Sequence, residues 1–217
     1  SNLSYEQKDF APISLTTNNT PVMVTTADGP KSVGELIARA RANPGKLNFG
    51  TGVLPARLAG YLFNSLTGIK STEIAYRGSV EIVQGLLTGS VQYSFDGLPA
   101  NLAMIRDGKF RALAKLAERP LSALPNLPRL ADEPELAGFG NISIWSGIVA
   151  PAGTPPAIID RVQRSVATTM ATQDVIERLD KVGISVLSST PAQFQSFIQS
   201  ETTRWSKVIK ESGLKIE

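Results

Sequence analysis

Three short stretches carry the residues best suited to chemistry: Phe49-Gly50-Thr51-Gly52, Tyr76-Arg77-Gly78-Ser79 and Phe95-Asp96-Gly97. In the first two, glycine lets the backbone approach a ligand closely, and a hydroxyl, on Thr51 or Ser79, stands at the start of an amphipathic stretch. Backbone N–H groups at a helix start form an anion cradle. A phosphate loop would add a lysine or a third glycine; GTGVLP has neither, so a carboxylate is the better fit. The plainer reading, ordinary strand-to-helix turns capped by Thr51 and Ser79, stands beside it. Two such turns and an aspartate at one sheet edge favour a site.

Composition narrows the chemistry further. The 217 residues contain no His and no Cys, which excludes Ser-His-Asp and Cys-His nucleophile systems and the usual zinc sets. No GxxxxGK[ST] loop occurs either. An enzyme would have to work through carboxylate, Lys or Tyr groups, and Asp96 is the one general base that can be placed. The expectation is therefore a binding protein without catalytic residues, cofactor or metal. The net charge of +3 comes from singly scattered basic residues, which does not point to nucleic acid. A hydrophobic content of 42% supports a real core, and no run of eighteen apolar residues is present to span a membrane. No signal-peptide pattern opens the chain, and Ser1-Asn2 has the form left by a cleaved expression tag.

The elements that must position these turns alternate. PKSVGELIARARANPGK reads as a helix with Ser32 as N-cap, Glu35 completing a capping box, and Val33, Leu36 and Ile37 on its apolar face. Strands follow at 47–49, 72–75, 91–95 and 111–116, separated by helices at 55–66, 79–88 and 98–107, the last two closed by Gly89 and Gly108. Such alternation predicts an α/β domain with a parallel sheet covered on both faces. In that arrangement ligands sit outside the carboxyl ends of the strands, where all three turns fall. From residue 142 the pattern changes. A strand at 142–149 leads to a helix with Thr154 as N-cap, Pro155 at its first position, and Ile158, Ile159, Val162 and Val166 on its buried face. A last helix opens on the capping box Thr190-Pro191-Ala192-Gln193 and lines Phe194, Phe197, Ile198, Trp205, Val208 and Ile209 along one side.

The series LNFGTG, LAGYLF, IAYRGS, GLLTGSVQYSFDGLP, GKFRALA, LPNLPRLAD, WSGIVAPAGTP and STPAQF resembles the tripartite tricarboxylate transporter receptor family, the Bug-type periplasmic solute-binding proteins. The resemblance runs through nearly the whole chain in order. It implies a type II periplasmic-binding-protein-like α/β fold: an interlobe strand over 1–15, one complete lobe over 16–141, and the C-terminal part of the second lobe, a strand plus helices, over 142–217. It also implies a periplasmic receptor that closes on a small carboxylate (a di- or tricarboxylate, an amino acid or an aromatic acid) and hands it to membrane permease subunits. The family's N-terminal portion has no counterpart here.

Carried over residue by residue, the resemblance implies that the backbone of Gly50, Thr51, Gly52 and Val53, and of Gly78 and Ser79, donates to the carboxylate. Asp96 would accept a hydrogen bond from a ligand hydroxyl, ammonium or water. Tyr76 and Phe95 are packing residues or ligand walls. The family's first turn is usually longer and is commonly followed by a His, whose place Arg57 takes; Arg57 would be either a solvated charge or a clamp on a second carboxylate. An effector-sensing domain of a transcription regulator is a rival reading, though no helix-turn-helix is readable, and an enzyme on a carboxylate is another. The C-terminal unit, rich in apolar helix faces but poor in strands, is expected to drive formation of a homodimer.

Overall fold

A computed structural model describes residues 4–212; residues 1–3, with Ser1-Asn2 among them, residues 213–217 and the side chains of Val208, Glu211 and Ser212 lie outside the described residues. The chain divides into two compact units, Asn19–Ile144 with Lys181–Ile184, and Ser1–Asn18 with Trp145–Asp180 and Ser185–Glu217.

In chain order the elements are β1 (Phe10–Asn19), β2 (Pro21–Thr26), α1 (Val33–Ala42), β3 (Leu47–Thr51), α2 (Leu54–Thr67), β4 (Ser71–Ala75), α3 (Ser79–Leu87), β5 (Tyr93–Gly97), α4 (Leu98–Arg106) and β6 (Phe110–Lys115). They are followed by β7 (Ile144–Pro151), α5 (Pro156–Met170), α6 (Gln173–Lys181), β8 (Ile184–Val186) and α7 (Pro191–Ser212). The larger unit is built on a five-stranded sheet of order β4-β3-β5-β2-β6. β3 pairs in parallel with both β4 and β5, whereas β2 runs antiparallel to both β5 and β6. The sheet is therefore mixed, not wholly parallel. Alternation constrains which strands are joined by helices, but it is silent on the direction of the strand that opens the series. The run PVMVTT has no helix before it to reveal it, yet its first five residues are buried between two neighbours.

Period-two alternation then sorts side chains onto the two faces of the sheet. On one face Phe49, Tyr93 and Phe95 meet Phe63 of α2, with Phe49 and Tyr93 stacked at 5.7 Å between centroids and Phe63 edge-on to Phe95 at 5.8 Å. On the other, Val22, Val24 and Val91 pack with Ile82 and Leu86 of α3 and Leu98 and Leu102 of α4. Local signals set the helix limits. Ser32 Oγ accepts the Glu35 N–H at 3.1 Å, while the Glu35 carboxylate reaches one residue further back, to the Lys31 N–H at 2.8 Å. Gly89 and Gly108 adopt φ of +74° and +70° just beyond α3 and α4, a left-handed turn that other residues adopt at a cost.

The smaller unit holds a three-stranded sheet of order β7-β1-β8. Its aromatic anchor is Trp145, edge-on to Phe194 at 5.9 Å and to Phe197 at 5.1 Å. The Thr190–Gln193 box forms as expected, with both reciprocal bonds present at 2.8 and 3.2 Å. Two readings change. Thr154 caps nothing: its hydroxyl donates to the Pro151 carbonyl, and α5 begins at Pro156 with Pro155 outside it. Ile158 is 51% exposed, because the inward stripe passes through Ile159, Val162 and Val166 and leaves the neighbouring position turned outward.

Gly60 marks the closest approach of α2 to the sheet. A Cβ there would overlap the buried Phe49 ring, falling within 2.7 Å of Cδ2 and 2.8 Å of Cζ. Gly60→Ala is expected to destabilise the protein by about 1–3 kcal/mol through overpacking, even though alanine favours a helix by about 1 kcal/mol. Urea unfolding of the two proteins measures it, and a stability gain would show that Phe49 can move aside.

Candidate functional site

Because β3 is parallel to β4 and β5, Thr51, Ala75 and Gly97 end their strands at one edge of the sheet. Each strand then turns into a helix: α2 after Val53, α3 after Gly78 and α4 after Gly97. None of these three N-cap residues makes a side-chain capping bond, and Val and Gly have no acceptor with which to do so. The first helical bonds come from the Arg57 N–H to the Val53 carbonyl and the Glu81 N–H to the Gly78 carbonyl. The N–H groups of Leu54 and Ala56, and of Ser79 and Val80, precede the helical ladder. A helix start left in this way carries partial positive charge and free donors.

The expected caps have gone elsewhere. Thr51 is 2% exposed, and its hydroxyl donates to Glu73 Oε1 at 2.6 Å on the α2 face of the sheet. The Ser79 hydroxyl donates to Asp96 Oδ1 at 2.8 Å on the opposite face. The alternation of β5 dictates this split: Tyr93 and Phe95 point to the aromatic side, and Asp96 to the side of α3 and α4. The two glycine turns touch, since a Cβ on Gly52 would lie 3.2 Å from Gly78 Cα, and the Tyr76 N–H donates to the Thr51 carbonyl at 2.8 Å. Gly50 lies inward of them, against Ile82, Tyr76 and Val91. Val53 is exposed at the rim. One backbone donor of the second turn is occupied, the Arg77 N–H bonding Glu81 Oε2 at 3.1 Å.

Asp96 is only 3% exposed. Its Oδ1 accepts from Ser79 and its Oδ2 from Asn101 Nδ2 at 3.0 Å. Burial pushes its pKa above the ordinary carboxylate value, and the bonds from Ser79, the Gly97 backbone and Asn101 only partly oppose this. In this arrangement Asp96 organises the edge, holding the start of α3 to the first turn of α4. The Arg57 side chain is 36% exposed and ion-paired within the protein. Its Nε donates to Glu73 Oε2 at 2.9 Å, and its guanidinium carbon lies 6.0 Å from the Tyr61 ring centroid. Glu73 and Asn101 were not singled out in the sequence. Glu73 is an acid inside a strand and Asn101 a polar residue on an otherwise apolar helix stripe, and each is visible in hindsight as a polar residue at a buried position.

Among the described residues no cluster of His, Cys, Asp and Glu could hold a metal ion. A cavity of about 800 Å³ opens in the larger unit beside Ala27, Phe110 and Leu113, and it is lined by none of the residues of the three turns or by Arg57, Glu73, Asp96 or Asn101. It lies at the other end of the sheet, where β2 ends and β6 begins.

This edge geometry has close relatives. The family model of the tripartite tricarboxylate transporter family receptor matches residues 1–214. The chain belongs to that family. Protein BugT of Bordetella pertussis is 34% identical over 218 residues, an alignment covering 97% of this chain and 65% of that protein. Among solved structures, R. palustris Rpa4515 with adipate superposes with a TM-score of 0.91 at 29% identity, covering 98% of this chain and 72% of that one. The periplasmic binding protein BugD superposes at 0.89 with 25% identity, over 98% of this chain and 73% of that one. The fold is thus that of an α/β periplasmic binding protein, and the family is one of receptors, not enzymes. The chain spans less than two thirds of the length of the first curated relatives it matches.

The burial of Asp96 makes a pH-dependent contribution. With its folded-state pKa raised, the native protein holds this proton more tightly than the unfolded chain, so stability falls as pH rises from near the ordinary carboxylate value of 3.8 through the raised value, and the loss is complete above it. Asp96→Asn removes that component. The wild-type unfolding free energy minus that of the variant is expected to fall across this window and then level off, as read by urea unfolding at a series of pH values. A difference that rises with pH would show that the hydrogen bonds outweigh burial.

Proposed function

We infer that this chain is the binding part of an extracytoplasmic, periplasmic solute receptor that takes a small carboxylate for a tripartite tricarboxylate-type transporter and delivers it to that transporter's membrane permease subunits. The observation that carries this reading is the convergence of three uncapped helix starts on one sheet edge, with both neighbouring hydroxyls turned away to internal carboxylates. An edge that presents backbone N–H groups and helix-terminal charge suits an anion whose oxygens can accept several bonds at once. Adipate in Rpa4515 supports a carboxylate as the class of ligand. In this reading the backbone around Gly50, Thr51, Gly52 and Val53, and at Gly78 and Ser79, supplies the donors, and Asp96 fixes their spacing through Ser79.

Calorimetry with succinate, citrate and glutamate against the corresponding amides tests the reading. The acids are expected to give heat and the amides none; equal heats would overturn it. The expected affinity is weak. A charge-assisted hydrogen bond contributes about 1.5–3 kcal/mol and a helix terminus about 0.3–2 kcal/mol, whereas micromolar binding needs roughly 8 kcal/mol after the cost of association. Donors from this edge alone reach about half of that, so dissociation constants in the millimolar range are expected; a micromolar value would show that other groups of the chain contribute.

Self-association belongs to the same proposal. Ile148 and Val149 of β7 and Ile158 of α5 are 38%, 43% and 51% exposed, an apolar surface on the smaller unit that a second copy would cover. Light scattering on a sizing column is expected to give twice the chain mass of 23.2 kDa at micromolar concentration. A monomer mass that persists on concentration would exclude the dimer.

A further inference from the structure

The clearest ion pair near the first turn joins the start of α2 to a buried acid one strand away. Glu73 sits within β4, opposite Phe49 in register, and its side chain is 8% exposed. Three groups from the β3–α2 segment converge on its two oxygens: Thr51 Oγ1 on Oε1 at 2.6 Å, and Arg57 Nε and Tyr61 Oη on Oε2 at 2.9 and 2.8 Å. Arg57 and Tyr61 are four apart on α2 and so present themselves on one face, while Thr51 is the last residue of the strand before the helix. A carboxylate held by three donors, one of them a guanidinium, is a fixed group.

The chemistry of the surroundings makes this a choice. Thr51 is the hydroxyl within the turn and Arg57 the first cation of the helix that follows it, and both would be natural ligands for a bound carboxylate. Each is bound instead by the protein's own acid. What remains at the turn is a set of neutral backbone donors with helix-terminal partial charge. Such a surface can bind one carboxylate end, but the first turn itself offers no full positive charge for a second; the nearest exposed cation is Arg77 of the adjoining turn, outside the Glu73 network.

We propose that Glu73 is a specificity-determining residue, an internal counter-anion that withdraws Arg57 and Thr51 from the ligand and thereby biases this edge towards a single carboxylate end over a dianion. The inference rests on the carboxylate-receptor reading above. The Glu73–Arg57 ion pair is neutral as seen from the edge, so a dicarboxylate gains little from Arg57 over its half-amide. With the charge of Glu73 removed, as in Glu73→Gln, the guanidinium is uncompensated. A second ligand carboxylate then has a cation to approach.

The test compares succinate with succinamate, a pair matched in length and differing by one charge, on the full chain by calorimetry or by chemical-shift titration at millimolar ligand. In Glu73→Gln, which keeps the shape and removes the charge, the ratio of succinate to succinamate affinity is expected to rise about tenfold, the size of one charge-assisted hydrogen bond. Arg57→Met, which leaves the acid without its cation, is expected to shift the ratio the other way. The double variant is expected to return the ratio close to that of the wild type, a pattern that a general loosening of the turn would not give. Unchanged ratios in single variants that keep the wild-type circular dichroism and a cooperative melt, alongside wild-type binding of succinate, overturn this inference alone. Failure of the wild type to bind either compound overturns the receptor reading and this inference with it. If Glu73→Gln does not fold, the shift in Arg57→Met decides.

Discussion

The parallel pairing of β3 with both β4 and β5 is the constraint on which the rest depends. Parallel strands end on the same side, so the chain must leave all three at one edge, and each exit here becomes a helix start within a few residues. Had any one of the strands been reversed, one helix would present its carbonyl end to that edge and cancel part of the field the others create. The antiparallel β2 does not interfere, because it brings the beginning of a strand to this edge and contributes no helix there.

Beneath the edge, the two faces of the sheet solve the same problem twice. On the aromatic face Glu73 collects Thr51, Arg57 and Tyr61; on the aliphatic face Asp96 collects Ser79 and Asn101. Each acid lies one layer below the turns and pulls a hydroxyl inward. Burying a carboxylate is costly unless several donors satisfy it, and the two sites meet that cost differently. Glu73 has a cation. Asp96 has only neutral donors, and its proton affinity rises accordingly. The result is an edge whose two hydroxyls, Thr51 and Ser79, and whose Arg57 Nε are engaged internally, leaving the backbone of the turns, with the exposed Arg77 beside it, as the recognising surface.

How much of this could be read from residue types depended on range. Helix starts at Ser32 and Thr190 were legible because a cap and its N3 partner lie three residues apart and need no tertiary information. The glycine turns and Asp96 were legible as positions, since glycine and a polar residue at a strand end are local anomalies. Their partners were not. The plain reading has Thr51 and Ser79 capping their own helices, and only the pairing of β3 with β4, and of α3 with β5, brings an acid close enough to compete for each hydroxyl. For Arg57 the residue types leave a solvated charge or a ligand clamp, and they do not show its ion pair, whose partner is sixteen residues away in another strand. The direction of β2 was hidden for a similar reason: strand orientation is settled by neighbours that the alternation of helices and strands does not name.

The division of labour at the edge also explains why the recognising groups can be so plain. A side-chain ligand must be held in one rotamer at an entropic cost, and a wrong rotamer loses the contact. Backbone N–H groups at a helix start are already fixed by the helix behind them, so no such cost remains to be met at binding. What must then be controlled is the spacing between the two starts. Gly52 sets it by close approach to the Gly78 backbone, where a Cβ on Gly52 would lie 3.2 Å from Gly78 Cα, and Ser79 bonded to Asp96 holds α3 against the same sheet from below. A change at Asp96 would therefore act through geometry, altering the distance between donors without removing any of them, whereas a change at Glu73 would act through charge at unchanged spacing. The two acids are similar in burial but control different properties of the same edge.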